Sequence, residues 1–150
     1  MDEKDRQIVR ELQLDGRISN HELAERVNLS PSPCLRRLRN LEKSGVIKGY
    51  TAVIDQKSYG LPITAFIRIR LGHHSQDAAQ VFERKIEDIG EILDCHLMTG
   101  DCDYLLRVVV ESLEAYEIFI REKIHRIPSV ASIDSSFAYG IVKQKRVFSN

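Results

Sequence analysis

Leu29-Ser30-Pro31-Ser32-Pro33-Cys34-Leu35-Arg36-Arg37-Leu38-Arg39-Asn40-Leu41-Glu42-Lys43-Ser44-Gly45 reads as a short helix with marked ends. Ser30 or Ser32 can cap its start, with Pro31 or Pro33 at the first helical position. Gly45 can take the left-handed conformation that stops it, and Val46 can fold back over the last turn. At about 100° per residue, Leu35, Leu38 and Leu41 share one narrow stripe. The opposite face carries Ser32, Pro33, Arg36, Asn40 and Lys43, with Arg37 and Arg39 on the flanks. One side can seat in a small core while the other presents cations and amide groups.

That outer face suits the major groove of double-stranded DNA. Arg pairs bidentately with guanine and Asn with adenine, and further cations hold phosphates. The helix start adds backbone N–H groups and the positive dipole end. Ser32, Pro33, Arg36 and Asn40 are the residues placed toward bases, and Arg37, Arg39, Lys43 and Lys48 those placed toward phosphates.

The preceding residues supply the context. Asp2 can cap a first helix over about 3–14, with Ile8, Val9 and Leu12 as its apolar stripe and Asp15-Gly16 at its end. Ser19-Asn20-His21-Glu22 is a capping box. It opens a second helix over about 20–27, buried through Leu23, Ala24 and Val27, and Asn28-Leu29-Ser30 turns into the third. Helix, capped helix, short turn and basic helix make a helix-turn-helix. Leu23, Ala24, Leu29, Leu35 and Leu38 are expected in one cluster.

Composition narrows the class. The 150 residues are 43% apolar, enough for one large domain or two small ones. No run reaches membrane-span length and no signal peptide is visible. Cys34, Cys95 and Cys102 form no metal-ligand spacing and no paired framework, so a reducing cytoplasm is expected. The net charge is zero, yet residues 1–60 hold 11 Lys/Arg against 9 Asp/Glu, and residues 61–150 hold 11 against 13. A neutral chain binds polyanions weakly in general, and one basic element can still bind DNA with strong salt dependence.

The domains are expected as 1–49, the helix-turn-helix; 50–62, a hinge strand at 50–54 and a linker; and 63–150, a second domain of different rhythm. Ala65, Ile67, Ile69 and Leu71 alternate with Phe66, Arg68 and Arg70 in a strand. Gly72-His73-His74-Ser75 is a turn, and a helix over 76–89 buries Ala78, Val81, Phe82, Ile86 and Ile89. Strands follow at 91–98 and 104–110, joined by a tight hairpin at 99–103. A helix over 112–126 buries Leu113, Tyr116, Phe119, Ile120 and Ile124, and a last strand spans 130–142. The order β-α-β-β-α-β is a ferredoxin-like α+β fold. Phe66, Ile92, Met98 and Leu106 are candidates for its outer face, which asks for a partner, most economically another copy.

The hairpin Gly100-Asp101-Cys102-Asp103-Tyr104 is the most unusual polar cluster of this domain. A zwitterionic amino acid needs a carboxylate for its ammonium and N–H donors for its carboxylate, and a Gly-Asp turn offers both. His96 and Ser136 can add hydrogen bonds. Ordinary turn chemistry accounts for the same residues, and spacing alone favours it. The His73-His74 doublet diverges on a loop, and Cys34 reads as a packing residue. No nucleophile elbow, phosphate loop or metal-ligand spacing appears, so no catalytic residue, cofactor or metal is assigned. An amino-acid-sensing module that contacts protein instead of DNA is the rival from another class.

These residues resemble the Lrp/AsnC (leucine-responsive, feast/famine) transcriptional regulators along nearly the whole chain. The resemblance is carried by Asp15-Gly16-Arg17-Ile18-Ser19, by Val27 to Leu38, by Gly45-Val46-Ile47, and by Cys95 to Leu106. It looks closest to the global leucine-responsive branch. It implies a winged-type helix-turn-helix followed by a ligand-binding domain, dimers formed through the sheets, and further assembly, often to octameric rings. It also implies an amino acid effector, leucine or another apolar one, between dimers near Gly100, Asp101, Asp103 and Tyr104. With the family in view the hairpin becomes a site, and His96, Leu97, Met98 and Ser136 join it by adjacency.

Overall fold

A computed structural model describes residues 1–72, 76–145 and 147–148. The chain divides into two compact units, residues 1–53 with 142–150, and residues 54–141.

The first unit contains α1 (Glu3–Leu14), α2 (Asn20–Arg26) and α3 (Pro31–Lys43). Two of the three anticipated side-chain caps form. Asp2 and Asp5 make a reciprocal box at α1, and Ser19 and Glu22 make one at α2. Each satisfies two backbone donors that a helix start leaves open. Ser30 occupies the cap position of α3 without a side-chain bond, and Pro31 is the first helical residue. Gly45 ends α3 at φ 74°.

Ile8, Leu23, Ala24, Val27, Cys34 and Leu41 form the core, with Val9, Leu12, Ile18, Leu29, Leu38 and Ile47 packed against it. The inner stripe of α3 is therefore Cys34, Leu38 and Leu41. Leu35 stays half-exposed, because Cys34 sits closer to the centre of the buried face. Ile47, not Val46, returns to the core, and its N–H donates to the Leu41 carbonyl at 3.1 Å. Residues 50–54 form no strand among the described residues. Their β-branched composition is right, but a strand needs a neighbour for its N–H and C=O groups.

The second unit contains β1 (Ile63–Leu71), α4 (Gln76–Glu87), β2 (Ile92–Leu97), β3 (Tyr104–Val110), α5 (Leu113–Phe119) and β4 (Val130–Phe137). The antiparallel sheet runs β2-β3-β1-β4, the order of the ferredoxin-like fold. His73, His74 and Ser75 of the expected turn lie outside the described residues. The inner sheet face carries Ala65, Ile67, Ile69, Leu71, Tyr104, Leu106, Val108 and Val110, packed with Phe82, Ile86, Tyr116, Phe119, Ile124 and Ile127.

Several expectations change here. Leu106 and Ile92 face the helices, not the outer surface, because Leu106 pairs with Ile67 and Ile92 with Val108 and so share their side of the pleat. Phe66 and Met98 remain outside. Val81 and Leu113 are exposed; each lies about one helical step away from a buried face defined by Phe82 and Ile86, or by Tyr116 and Phe119. After α5 the chain takes a π-helical turn, Ile120–Ile124, with the His125 N–H donating to the Ile120 carbonyl at 2.9 Å. The wider turn lets Phe119 and Ile124, five residues apart, both enter the core. β4 stops at Phe137, short of 142, because β1 begins at Ile63 and offers no further partner; the last bond is Ala138 N–H to the Thr64 carbonyl, 2.9 Å.

Candidate functional site

On α3, Ser32, Arg36, Asn40 and Lys43 are exposed along one stripe, opposite Cys34, Leu38 and Leu41. Arg39 and Lys48 are exposed beside it, and Pro33 is half-buried. Arg36, Arg39, Lys43 and Lys48 have no carboxylate partner among the described residues. Their charges are available to an outside anion.

Arg37 differs. Its Nη1 donates to Asp2 at 2.7 Å and to Asp5 at 2.8 Å, the two members of the α1 capping box. The Asp5 N–H, and then Arg37, hold the Asp2 carboxyl below its usual range, and the two carboxylates raise the guanidinium above its own. Arg37 thus fastens α3 to α1. The helix start is also poorer in donors than expected. Pro31 and Pro33 carry no N–H, and the Cys34 N–H already donates to the Ser30 carbonyl, leaving Ser32 as the open donor of the first turn.

Two positioning contacts escaped the sequence reading. Asn20 Nδ2 donates to the Pro31 carbonyl at 3.0 Å, joining the starts of α2 and α3. Lys4 Nζ donates to the Val27 carbonyl at 2.6 Å, at the end of α2. Asn28 sits at φ 52° in the turn, a conformation that Asn tolerates better than most residues. The turn chemistry of Asn28 was readable in advance. The two long-range bonds had no local signal.

In the second unit the hairpin loop spans residues 98–103, with Gly100 at φ 102°. Leu97, Thr99, Gly100 and Asp101 are exposed. Asp101 has no side-chain partner among the described residues, so its carboxylate is open to a cation. Asp103 is engaged: its Oδ2 accepts the Leu71 N–H at 2.7 Å, and its own N–H donates to the Ile69 carbonyl at 2.9 Å. Tyr104 is buried, not turned to a ligand. Its phenol donates to Glu83 on α4 at 2.8 Å, and its ring lies 4.6 Å from that of Phe82. Burial and the Glu83 carboxylate both raise the phenol. The parity of β3 explains this, since Tyr104 shares the inner side with Leu106.

His96 faces outward on β2, where it pairs with Leu105. Ser136 pairs with Phe66 on β4, at the opposite edge of the sheet, so the fold does not bring it to the hairpin. Burial, with Glu83 nearby, pushes the Cys95 thiol up to about 11, which keeps it protonated. Among the described residues no group of His, Cys, Asp and Glu could hold a metal ion, and no helix is long and apolar enough to cross a membrane.

Comparison with known proteins gives this geometry its setting. Residues 1–48 match a winged helix-turn-helix DNA-binding domain, and residues 64–148 match the Lrp/AsnC ligand binding domain. The leucine-responsive regulatory protein of Escherichia coli K12 is 41% identical over 144 residues, covering 96% of this chain and 88% of that protein. A Neisseria meningitidis transcriptional regulator, solved as an L-Met complex, is similar at TM-score 0.94 and 36% identity, over 99% of this chain and 96% of the other. An AsnC family regulator from Agrobacterium tumefaciens is similar at TM-score 0.93 and 34% identity, over 99% and 97%. A basic helix held outward by a capped helical unit, followed by a ferredoxin-like ligand-binding domain, places this chain in the Lrp/AsnC family of effector-modulated, DNA-binding transcriptional regulators, which are not enzymes.

Proposed function

We propose that this regulator reads DNA through Ser32, Arg36 and Asn40, with Arg39, Lys43 and Lys48 on phosphates. The carrying observation is the exposed stripe on α3, whose cations lack internal partners while Cys34 and Leu41 are buried beneath it. Arg37 is left out of the direct contacts because two carboxylates already occupy it.

The effector is an apolar amino acid, leucine or one like it, bound at the 98–103 hairpin. Asp101 offers a free carboxylate for the ammonium, and exposed Leu97 and Met98 offer apolar surface. The hairpin of one chain is open, so the site is completed by another copy. The chain acts as a homodimer that assembles further, in the cytoplasm. The L-Met complex of the similar Neisseria regulator supports the effector class. With two-fold symmetry the DNA sites are near-palindromic, with half-sites a helical turn or more apart.

The test is a gel shift on promoter fragments over a salt series, with and without L-leucine and L-methionine, alongside light scattering for the oligomer. Specific binding that falls steeply with salt and shifts with an amino acid is the expected result. Sequence-independent binding would remove the base contacts, and a monomer in both conditions would remove the shared site.

A further inference from the structure

Three consecutive residues at the end of β1 hold the hairpin. The Ile69 carbonyl accepts the Asp103 N–H at 2.9 Å, and the Leu71 N–H donates to Asp103 Oδ2 at 2.7 Å. Between them, Arg70 donates from Nε to the Asp101 carbonyl at 3.1 Å and from Nη2 to the same oxygen. The β1–β4 register shifts between Arg70 and Leu71. The residue left without a partner is Ala131, so the bulge lies on β4, at the edge of β1 away from the hairpin. The Leu71 N–H and the Ile69 carbonyl face the β3 side of β1 by strand alternation, toward the hairpin. The Met98 N–H to Asp103 carbonyl bond, 2.8 Å, closes the loop from within.

Gly100 lies at φ 102°, in a region where glycine moves freely, so the turn has little stiffness of its own. A guanidinium with two donors on one carbonyl fixes the direction of that peptide. That in turn sets where the Asp101 carboxylate and the neighbouring N–H groups face. A preset turn spares the ligand the cost of ordering it. Arg68 is the internal contrast. It sits two residues earlier on the same outer face, but pairs with Asp134 on β4 at 3.0 Å.

We infer that Arg70 is a positioning residue of the amino-acid site, pinning the 98–103 hairpin to the end of β1 so that the effector meets a turn already in shape. This rests on the effector reading above.

Calorimetry with L-leucine and L-methionine on the full chain tests it, using wild type, Arg70→Ala, Arg70→Lys and Arg68→Ala. Arg70→Ala weakens amino-acid affinity by roughly tenfold or more, the scale of a lost charge-assisted hydrogen bond. Arg70→Lys, which keeps one charged donor, recovers part of that loss, and Arg68→Ala binds as wild type does. DNA affinity without amino acid stays unchanged in Arg70→Ala. Wild-type amino-acid affinity in Arg70→Ala overturns the inference alone. So does an equal loss in Arg68→Ala, or a parallel loss of effector-free DNA binding. If wild type binds neither amino acid, the effector reading falls and takes this inference with it. Should Arg70→Ala not fold, Arg70→Gln carries the same expectation.

Discussion

Arg37 Nη1 and Asp5 Oδ1 lie 2.8 Å apart, tying the middle of α3 to the first turn of α1. Asp5 uses its other oxygen to accept the Asp2 N–H at 2.9 Å, and Asp2 returns a carboxylate to both the Asp5 N–H and Arg37. One guanidinium therefore serves both the cap of α1 and the pose of α3. Arg37→Met, which keeps the aliphatic stem and removes the donors, should lower the melting midpoint of the helical unit while leaving base preference intact. Circular dichroism melts with binding-site selection check this. Altered preference at one base position would return Arg37 to the reading face.

Arg36 should behave in the opposite way. It is exposed, lacks an internal partner and sits one turn from both Ser32 and Asn40. Arg36→Ala should leave the melting midpoint unchanged and cost roughly 1–3 kcal/mol of discrimination at one base pair. Footprinting on wild-type and base-substituted sites reads this directly. Unchanged specificity would show that α3 presents another face to DNA.

The caps make an acid-sensitivity prediction. The Asp2 carboxyl is held low by the Asp5 N–H and then by Arg37, and the Glu22 carboxyl by the Ser19 hydroxyl and N–H. A carboxyl whose folded pKa is depressed contributes stability that is fully present above its unfolded value. That contribution is lost as pH falls through the lower folded value. The helical unit should therefore be insensitive near neutrality and weaken below about pH 4. Acid titration followed by circular dichroism should show a shallower acid limb in Glu22→Gln than in wild type. Identical limbs would mean that the box contributes no pH dependence.

How far the sequence could be read depended on whether the signal was local. The Asp2 cap, the Ser19–Glu22 box, a proline start (Pro31 of the two candidates) and the left-handed Gly45 each need only a few neighbouring residues, and all form. Strand alternation placed β1, and the β-α-β-β-α-β element order pointed to the ferredoxin-like sheet. It mistook Leu106 for an outer residue, since register decides that parity and register is a long-range property. The 50–54 segment has strand composition without a strand partner. The hairpin was found as a polar cluster, yet the split of labour within it was not visible. Nothing in Asp-Cys-Asp-Tyr tells which carboxylate is engaged, or that Arg70, some 30 positions earlier, holds the turn.

That split is testable. Asp101 is exposed and open, whereas Asp103 accepts the Leu71 N–H at the end of β1. Asp101→Asn should weaken amino-acid affinity with no change in melting midpoint, because it removes a charge from open surface. Asp103→Ala should abolish the amino-acid response and also lower stability, by roughly 1–3 kcal/mol for a half-buried N–H left unpaired. Tyr104→Phe should cost about 0.5–1.5 kcal/mol through its bond to Glu83 and spare the amino-acid affinity, since the phenol points into the core. Melting curves paired with calorimetry separate the three. If Tyr104→Phe lost the ligand while keeping its stability, the phenol would have to swing out of the core on binding, and the hairpin would be a moving part instead of a preset one.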